Sequence, residues 1–210
     1  MSRSLAVNAI TFARVPLVFA WLVLAVAHEF DGGFPLAFWA CAAMLFSGLT
    51  DAYDGYLARR WKVVSQLGKM ADPLMDKVFY IVAFPALVWM IAHQGESGFH
   101  AVAMLAFSIL YMLRDTWVTF LRSVGAIYGA DVGAMRLGKI RTALSFPGAG
   151  WVYFYLAFHR DFPASWNGPW LWTCYAVEAF LAGITLLSFA TYTRAYAPYL
   201  LRALDRRGQI

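Results

Sequence analysis

Six stretches of this chain are so long and so apolar that water cannot be the solvent for them. They run at roughly 5–28, 34–58, 73–93, 99–125, 141–158 and 168–196. Crossing a ~30 Å hydrocarbon core as a helix takes about 20 such residues. Lipid leaves no partner for an open backbone, so each stretch is predicted to be a membrane-spanning helix. Charged residues make up only 14% of the chain, against ~25% in soluble domains. With 210 residues no separate soluble domain fits, and the expectation is one all-α, six-span domain over residues 1–210. The segments HEFDGG, HQGESG and HRDFPASWNGP separate runs and read as turns. No internal repeat is visible. A long apolar run without a small-residue cleavage site follows Arg3, so the first span is expected to be retained. Residues 1–7 are expected to form a short interfacial stretch.

The net charge of +5 would suggest nucleic acid in a soluble protein. Here the basic residues sit in short loops, so membrane topology explains them and no nucleic-acid partner is expected. Arg3, then Arg59, Arg60, Lys62 and Lys69, then Arg122, Arg136, Lys139 and Arg141, then Arg194, Arg202, Arg206 and Arg207 share one side. Arg160 stands alone on the other. The positive-inside rule puts both termini in the cytoplasm, as an even number of spans also requires. In a bacterial cell this would be the inner (cytoplasmic) membrane. Trp61, Trp166, Trp170, Trp172, Tyr192, Tyr196 and Tyr199 lie near segment ends and are expected in interfacial belts. His28, His93, His100 and His159 all fall at the outer ends, which argues against a histidine catalyst. Cys41 and Cys174 lie inside apolar runs without CxxC spacing and read as small buried side chains.

The chemistry concentrates in carboxylates. Asp51 and Asp54, three residues apart, share a helix face at the cytoplasmic end of the second segment. Gly55 and Ala58 extend that face with almost no side chain, so a bulky anion can approach the backbone. Asp72-Pro73 reads as the start of the third helix, with Asp76 one turn later. A short basic loop makes the two segments antiparallel neighbours, and the acidic faces are predicted to converge. Four converging carboxylates repel one another without a cation. An all-oxygen donor set with no nearby His or Cys selects a hard ion, Mg²⁺ or Mn²⁺, over zinc.

Written out, residues 51–76 read D-x2-D-G-x2-A-R-x8-G-x3-D-x3-D. This resembles the signature of the CDP-alcohol phosphatidyltransferase family at every fixed position. The resemblance implies six transmembrane helices, a homodimer and a pair of divalent ions held by the aspartates. It makes Asp51, Asp54 and Asp72 metal ligands, and Asp76 both a ligand and the base. Gly55 and Ala58 would leave room for the cytidine nucleotide, Arg59 would contact its phosphates, and Gly68 would permit a turn. Asn8 and Arg14 of the first helix would border the same site. In such a reaction an alcohol attacks the lipid-bearing phosphorus of a CDP-linked lipid and CMP leaves, and no covalent enzyme intermediate is needed.

A second basic cluster speaks to the acceptor alcohol. Arg114-Asp115 lies in the fourth segment and RLGKIRT (136–142) opens the fifth. A buried arginine needs a partner or a ligand. Adjacent positions on a helix diverge by about 100°, so Asp115 is expected to pair poorly with Arg114, which should face the cavity. RDTWVTFLRSVGAIYG, GKIRT and the N-terminal NAITFARVPL resemble the bacterial phosphatidylglycerophosphate synthase branch, which carries Arg-Glu and Gly-Lys-x-Lys where this chain has Arg114-Asp115 and Gly138-Lys139-Ile140-Arg141. Charge is kept at both departures. Arg114, Lys139 and Arg141 are therefore expected to grip the phosphate of glycerol 3-phosphate, with CDP-diacylglycerol as donor. Inositol phosphate, inositol, serine and phosphatidylglycerol remain alternative acceptors. A cation transporter is the remote alternative, but transporters place charge near the midplane and often show repeated halves. Glu178, deep in the sixth segment, is assigned no role.

Overall fold

The structure, a computed structural model, describes residues 3–61, 66–95, 98–130 and 135–205; within these, the side chains at 3–6, 51, 52, 58, 59, 66–73, 76 and 205 are outside the description. Among the described residues six helices follow in chain order: α1 (Arg3–Asp31), α2 (Phe34–Trp61), α3 (Gln66–Gln94), α4 (Gly98–Ile127), α5 (Arg136–Phe158) and α6 (Ala164–Asp205). α1 packs on both α2 and α3, α4 lies between α3 and α6, and α5 packs mainly on α6. Three of the turns after helices use a glycine in the left-handed region, Gly32, Gly95 and Gly129, with φ of 65°, 69° and 69°. A side chain would be strained there.

The apolar periodicity locates each helix but not its limits. α3 begins at Gln66, about two turns before Asp72-Pro73, so that proline is not the first helical residue as expected. A proline inside a helix removes one backbone bond, and the turns on either side continue across it. α1 is helical from Arg3 and continues without a break into the apolar span that begins at Val7, while residues 1 and 2 of the expected interfacial stretch lie outside the described residues. α6 has 42 residues, about 63 Å at 1.5 Å per residue, twice what the hydrocarbon core requires.

Five of the helices, α1 to α4 and α6, are long and apolar enough to cross a membrane. The fifth predicted span falls short by composition. α5 opens on Arg136, Lys139, Arg141 and Thr142 and carries Ser145, Gly148 and Ala149 in its interior. Its buried residues meet other helices, and polar atoms enclosed by protein do not face the cost they would meet in lipid. The outer faces of the other helices show the opposite pattern. Phe38, Trp39, Leu45 and Phe46 on α2, Val102, Ile109 and Leu113 on α4, and Phe180 and Leu187 on α6 are exposed, as suits side chains whose solvent is lipid. Between the helices, Trp21 sits edge-on to Tyr153 at 5.3 Å, and Phe84, Leu87, Met90 and Met104 are fully buried.

Candidate functional site

Two polar regions lie at the end of the bundle where α2 leads to α3 and α4 leads to α5. The first contains Asp54, which is buried on α2. The Thr11 hydroxyl of α1 donates to its Oδ2 at 2.7 Å. Arg14, one helical turn further along α1, brings a guanidinium to 3.6 Å from the same oxygen. Both partners come from the helix that packs on α2 and α3, so α1 brings a donor and a cation to the signature segment. Gly55, next to Asp54, is half-buried. The backbone places Asp51, Ala58 and Arg59 on α2, and Gly68, Asp72 and Asp76 on α3. Their side chains are outside the described residues, so the expected meeting of four carboxylates is outside them too. Among the described residues no three His, Cys, Asp or Glu side chains form a metal cluster. The donor chemistry of the segment nonetheless fits a hard dication, since every candidate ligand is a carboxylate oxygen.

The second region is a cavity of ≈ 490 Å³ walled by α3, α4, α5 and α6. Among the described residues, five cations, Lys77, Arg114, Arg122, Lys139 and Arg141, line it against one carboxylate, Asp115. Its floor is a shared ion pair. Arg114 Nη1 donates to Asp115 Oδ1 at 3.0 Å, and Arg141 Nη2 donates to the same oxygen. This corrects the expectation that neighbours on a helix pair poorly. The 100° rule governs where Cβ atoms point, whereas a guanidinium on a three-carbon stem can turn back over the next residue. Arg114 also donates to Ser188 Oγ and lies 4.9 Å from the Tyr192 ring centre. It is therefore a partnered cation in the cavity wall. The Arg141 guanidinium carbon sits 3.8 Å from the Tyr111 ring centre. Its Nε and Nη1 are buried and find no hydrogen-bond partner among the described residues.

Three further residues belong to this site and escaped the sequence reading. Lys77, directly after Asp76, lines the mouth and donates to Thr119 Oγ1 at 3.3 Å. Arg122 had been counted only as loop charge; its Nη2 donates to the Tyr192 hydroxyl at 3.1 Å. Tyr192 had been expected in an interfacial belt, yet it is 1% exposed and lines the cavity. Tyr196 is likewise buried, whereas Trp166 and Trp172 are exposed as expected. Lys139 is exposed and part of the lining.

A second cavity of ≈ 310 Å³ contains Arg14, Ser47 and Gly48 and shares Tyr80, Thr142 and Ala143 with the first. A common wall thus connects the surroundings of Asp54 to the cationic cavity. At the opposite end of the bundle the four histidines sit near turns. His100 Nε2 lies 2.8 Å from Glu178 Oε1, both buried, which gives Glu178 a structural partner far from either cavity. Cys41 and Cys174 are unbridged.

The chain matches the family model described as CDP-alcohol phosphatidyltransferase over residues 5–194. Among curated relatives it is 40% identical over 85 residues to the "Cardiolipin synthase (CMP-forming)" of Streptomyces coelicolor, which covers 39% of this chain and 38% of that protein. It is 33% identical over 144 residues to the "CDP-diacylglycerol--glycerol-3-phosphate 3-phosphatidyltransferase" of Bacillus subtilis, covering 64% and 69%. The Escherichia coli protein of the same name is 29% identical over 165 residues, covering 76% and 80%.

Proposed function

The chain belongs to the CDP-alcohol phosphatidyltransferase family, and from that premise we propose that it transfers the phosphatidyl group of CDP-diacylglycerol to sn-glycerol 3-phosphate, giving phosphatidylglycerol phosphate and CMP. The observation that supports this acceptor is the cavity, whose lining among the described residues sets five cations against one carboxylate. A phosphomonoester dianion is the small ligand that such a cavity suits, because planar guanidinium forks and point-charge ammonium groups both bind it strongly. An uncharged acceptor such as inositol would leave the excess positive charge of the lining without a counter-charge.

In the proposed enzyme the segment 51–76 is the donor site. Asp51, Asp54, Asp72 and Asp76 would hold two Mg²⁺ or Mn²⁺ ions, which when bound neutralise charge on the pyrophosphate. Gly55 and Ala58 leave room for the nucleotide, Gly68 lies on the same nucleotide side at the start of α3, and Arg59 meets the phosphates. Thr11 and Arg14 orient Asp54 from α1. Arg141, Lys139 and Arg114, joined by Lys77 and Arg122, hold the acceptor's phosphate. The acceptor's hydroxyl oxygen forms the new bond to the lipid-bearing phosphorus while the bond from that phosphorus to CMP breaks. Asp76 takes the hydroxyl proton, a step typically worth ~10²- to 10⁴-fold. The whole chain would work as a single domain of the inner membrane, with six spans, both termini and the site on the cytoplasmic side, and as a homodimer.

The match to a cardiolipin synthase favours a second reading, in which phosphatidylglycerol is the acceptor. Its phosphodiester carries a single charge, which uses less of the cationic lining. An acceptor panel with radiolabelled CDP-diacylglycerol separates the readings. Purified protein should release CMP with glycerol 3-phosphate and Mg²⁺ or Mn²⁺, and turnover of phosphatidylglycerol alone would overturn the assignment. Asp76→Asn should lose turnover and keep donor binding; wild-type rates in that variant would remove Asp76 from the chemistry.

A further inference from the structure

Arg122 is an exposed side chain at the mouth of the cationic cavity, and a long exposed cation ordinarily loses much rotamer freedom when it meets a ligand. Here one end of it is already fixed. The phenol oxygen of Tyr192, on α6, accepts from Arg122 Nη2 at 3.1 Å and from the backbone N–H of Met135 at 2.9 Å. Met135 is the residue before α5, and no side chain of its own caps that helix. A single buried hydroxyl therefore ties the end of α4 to the beginning of α5. The ring contributes as well, lying 5.5 Å below the Arg122 guanidinium and 4.9 Å from that of Arg114. Gly138 permits this closeness, because a Cβ there would stand 3.1 Å from both the Tyr192 oxygen and Arg114 Nη2.

We propose that Tyr192 is a positioning residue for the acceptor's phosphate, acting through Arg122. It touches neither the donor nor the reacting atoms. By holding Arg122 at the cavity mouth before the ligand arrives, it lowers the ordering cost of binding, so its contribution falls on acceptor KM and not on kcat. This rests on the assignment of the cationic cavity to the acceptor.

The test is Tyr192→Phe, which keeps the ring and removes the hydroxyl. Steady-state kinetics would be measured for both substrates in the full-length protein, with thermal melting alongside. Acceptor KM should rise roughly three- to tenfold, the range expected for the ordering of one long side chain. Donor KM and kcat should stay within about twofold. In an Arg122→Ala background the same substitution should add little, because the two residues form one unit. Effects that multiply in full, an unchanged acceptor KM, or parallel losses in both KM values and kcat with a lower Tm would each overturn the proposal. Should the phenylalanine variant not fold, Arg122→Lys keeps the charge and loses the fork geometry. It should raise acceptor KM alone, and an unchanged value would overturn the proposal equally. Wild type is first assayed with glycerol 3-phosphate and with phosphatidylglycerol. Turnover of the lipid alone would refute the reaction assigned above, and Tyr192 would then be judged on the KM of that acceptor by the same criterion.

Discussion

Asp115→Asn isolates the charge that organises the cationic cavity. The substitution preserves shape, so no void opens, but it leaves Arg114 and Arg141 as two buried cations without their shared anion. Their side chains are 6% and 2% exposed, and that of Asp115 is 22%. Removing one member of a buried ion pair costs about 3–5 kcal/mol. Because Asp115 is partly wetted, the lower end applies, about 3 kcal/mol. At about 2–4 °C per kcal/mol for a domain of this size, the Tm should fall by about 6–12 °C. An anion in the cavity can restore the missing charge, so inorganic phosphate should raise the Tm of the variant more than that of wild type. Tryptophan-fluorescence melting of detergent-solubilised protein, with and without phosphate, reads both effects. An unchanged Tm, or the same phosphate-induced rise in both proteins, would refute the view that Asp115 balances the two arginines.

Gly138→Ala should raise acceptor KM severalfold with donor KM unchanged, since the new methyl presses on Arg114 and Tyr192 at 3.1 Å; kinetics indistinguishable from wild type would show that the contact relaxes without consequence. His100→Ala strands the buried Glu178 oxygen and should cost about 1–3 kcal/mol of stability, read as a lower Tm with both KM values intact below the melt. A fall in kcat without a fall in Tm would instead connect that pair to the chemistry. Chelation with EDTA should abolish CMP release, and Mg²⁺ or Mn²⁺ should restore it; activity that survives exhaustive chelation would remove the dications from the reaction.

The helices were legible because lipid leaves the backbone few alternatives, so long apolar runs sufficed to place all six. Their ends were less so. The helical turns of α3 before Asp72 and the last turns of α6 carry polar residues, and only their continuation from the spanning part keeps them helical. At the site, spacing within one helix exposed Asp51 and Asp54 as a pair, but not that Asp54 would meet Thr11 and Arg14, since those contacts cross some forty positions of sequence. The same limit applies to Arg141 and Asp115, 26 residues apart. Tyr192 was misplaced for a different reason. An aromatic residue near a helix end fits an interface equally well by sequence, and only the packing of α4 and α5 around it shows that it is enclosed.

The cationic cavity takes its walls from four helices, the last being α6. The aspartate signature is complete by Asp76, whereas Tyr192 follows 116 positions later. A stop codon just before α6 would leave the segment 51–76 intact and the cationic cavity without its α6 wall. Such a truncated chain would lose the tie from Tyr192 to Arg122 and Met135, and with it the fixed geometry of the cavity mouth.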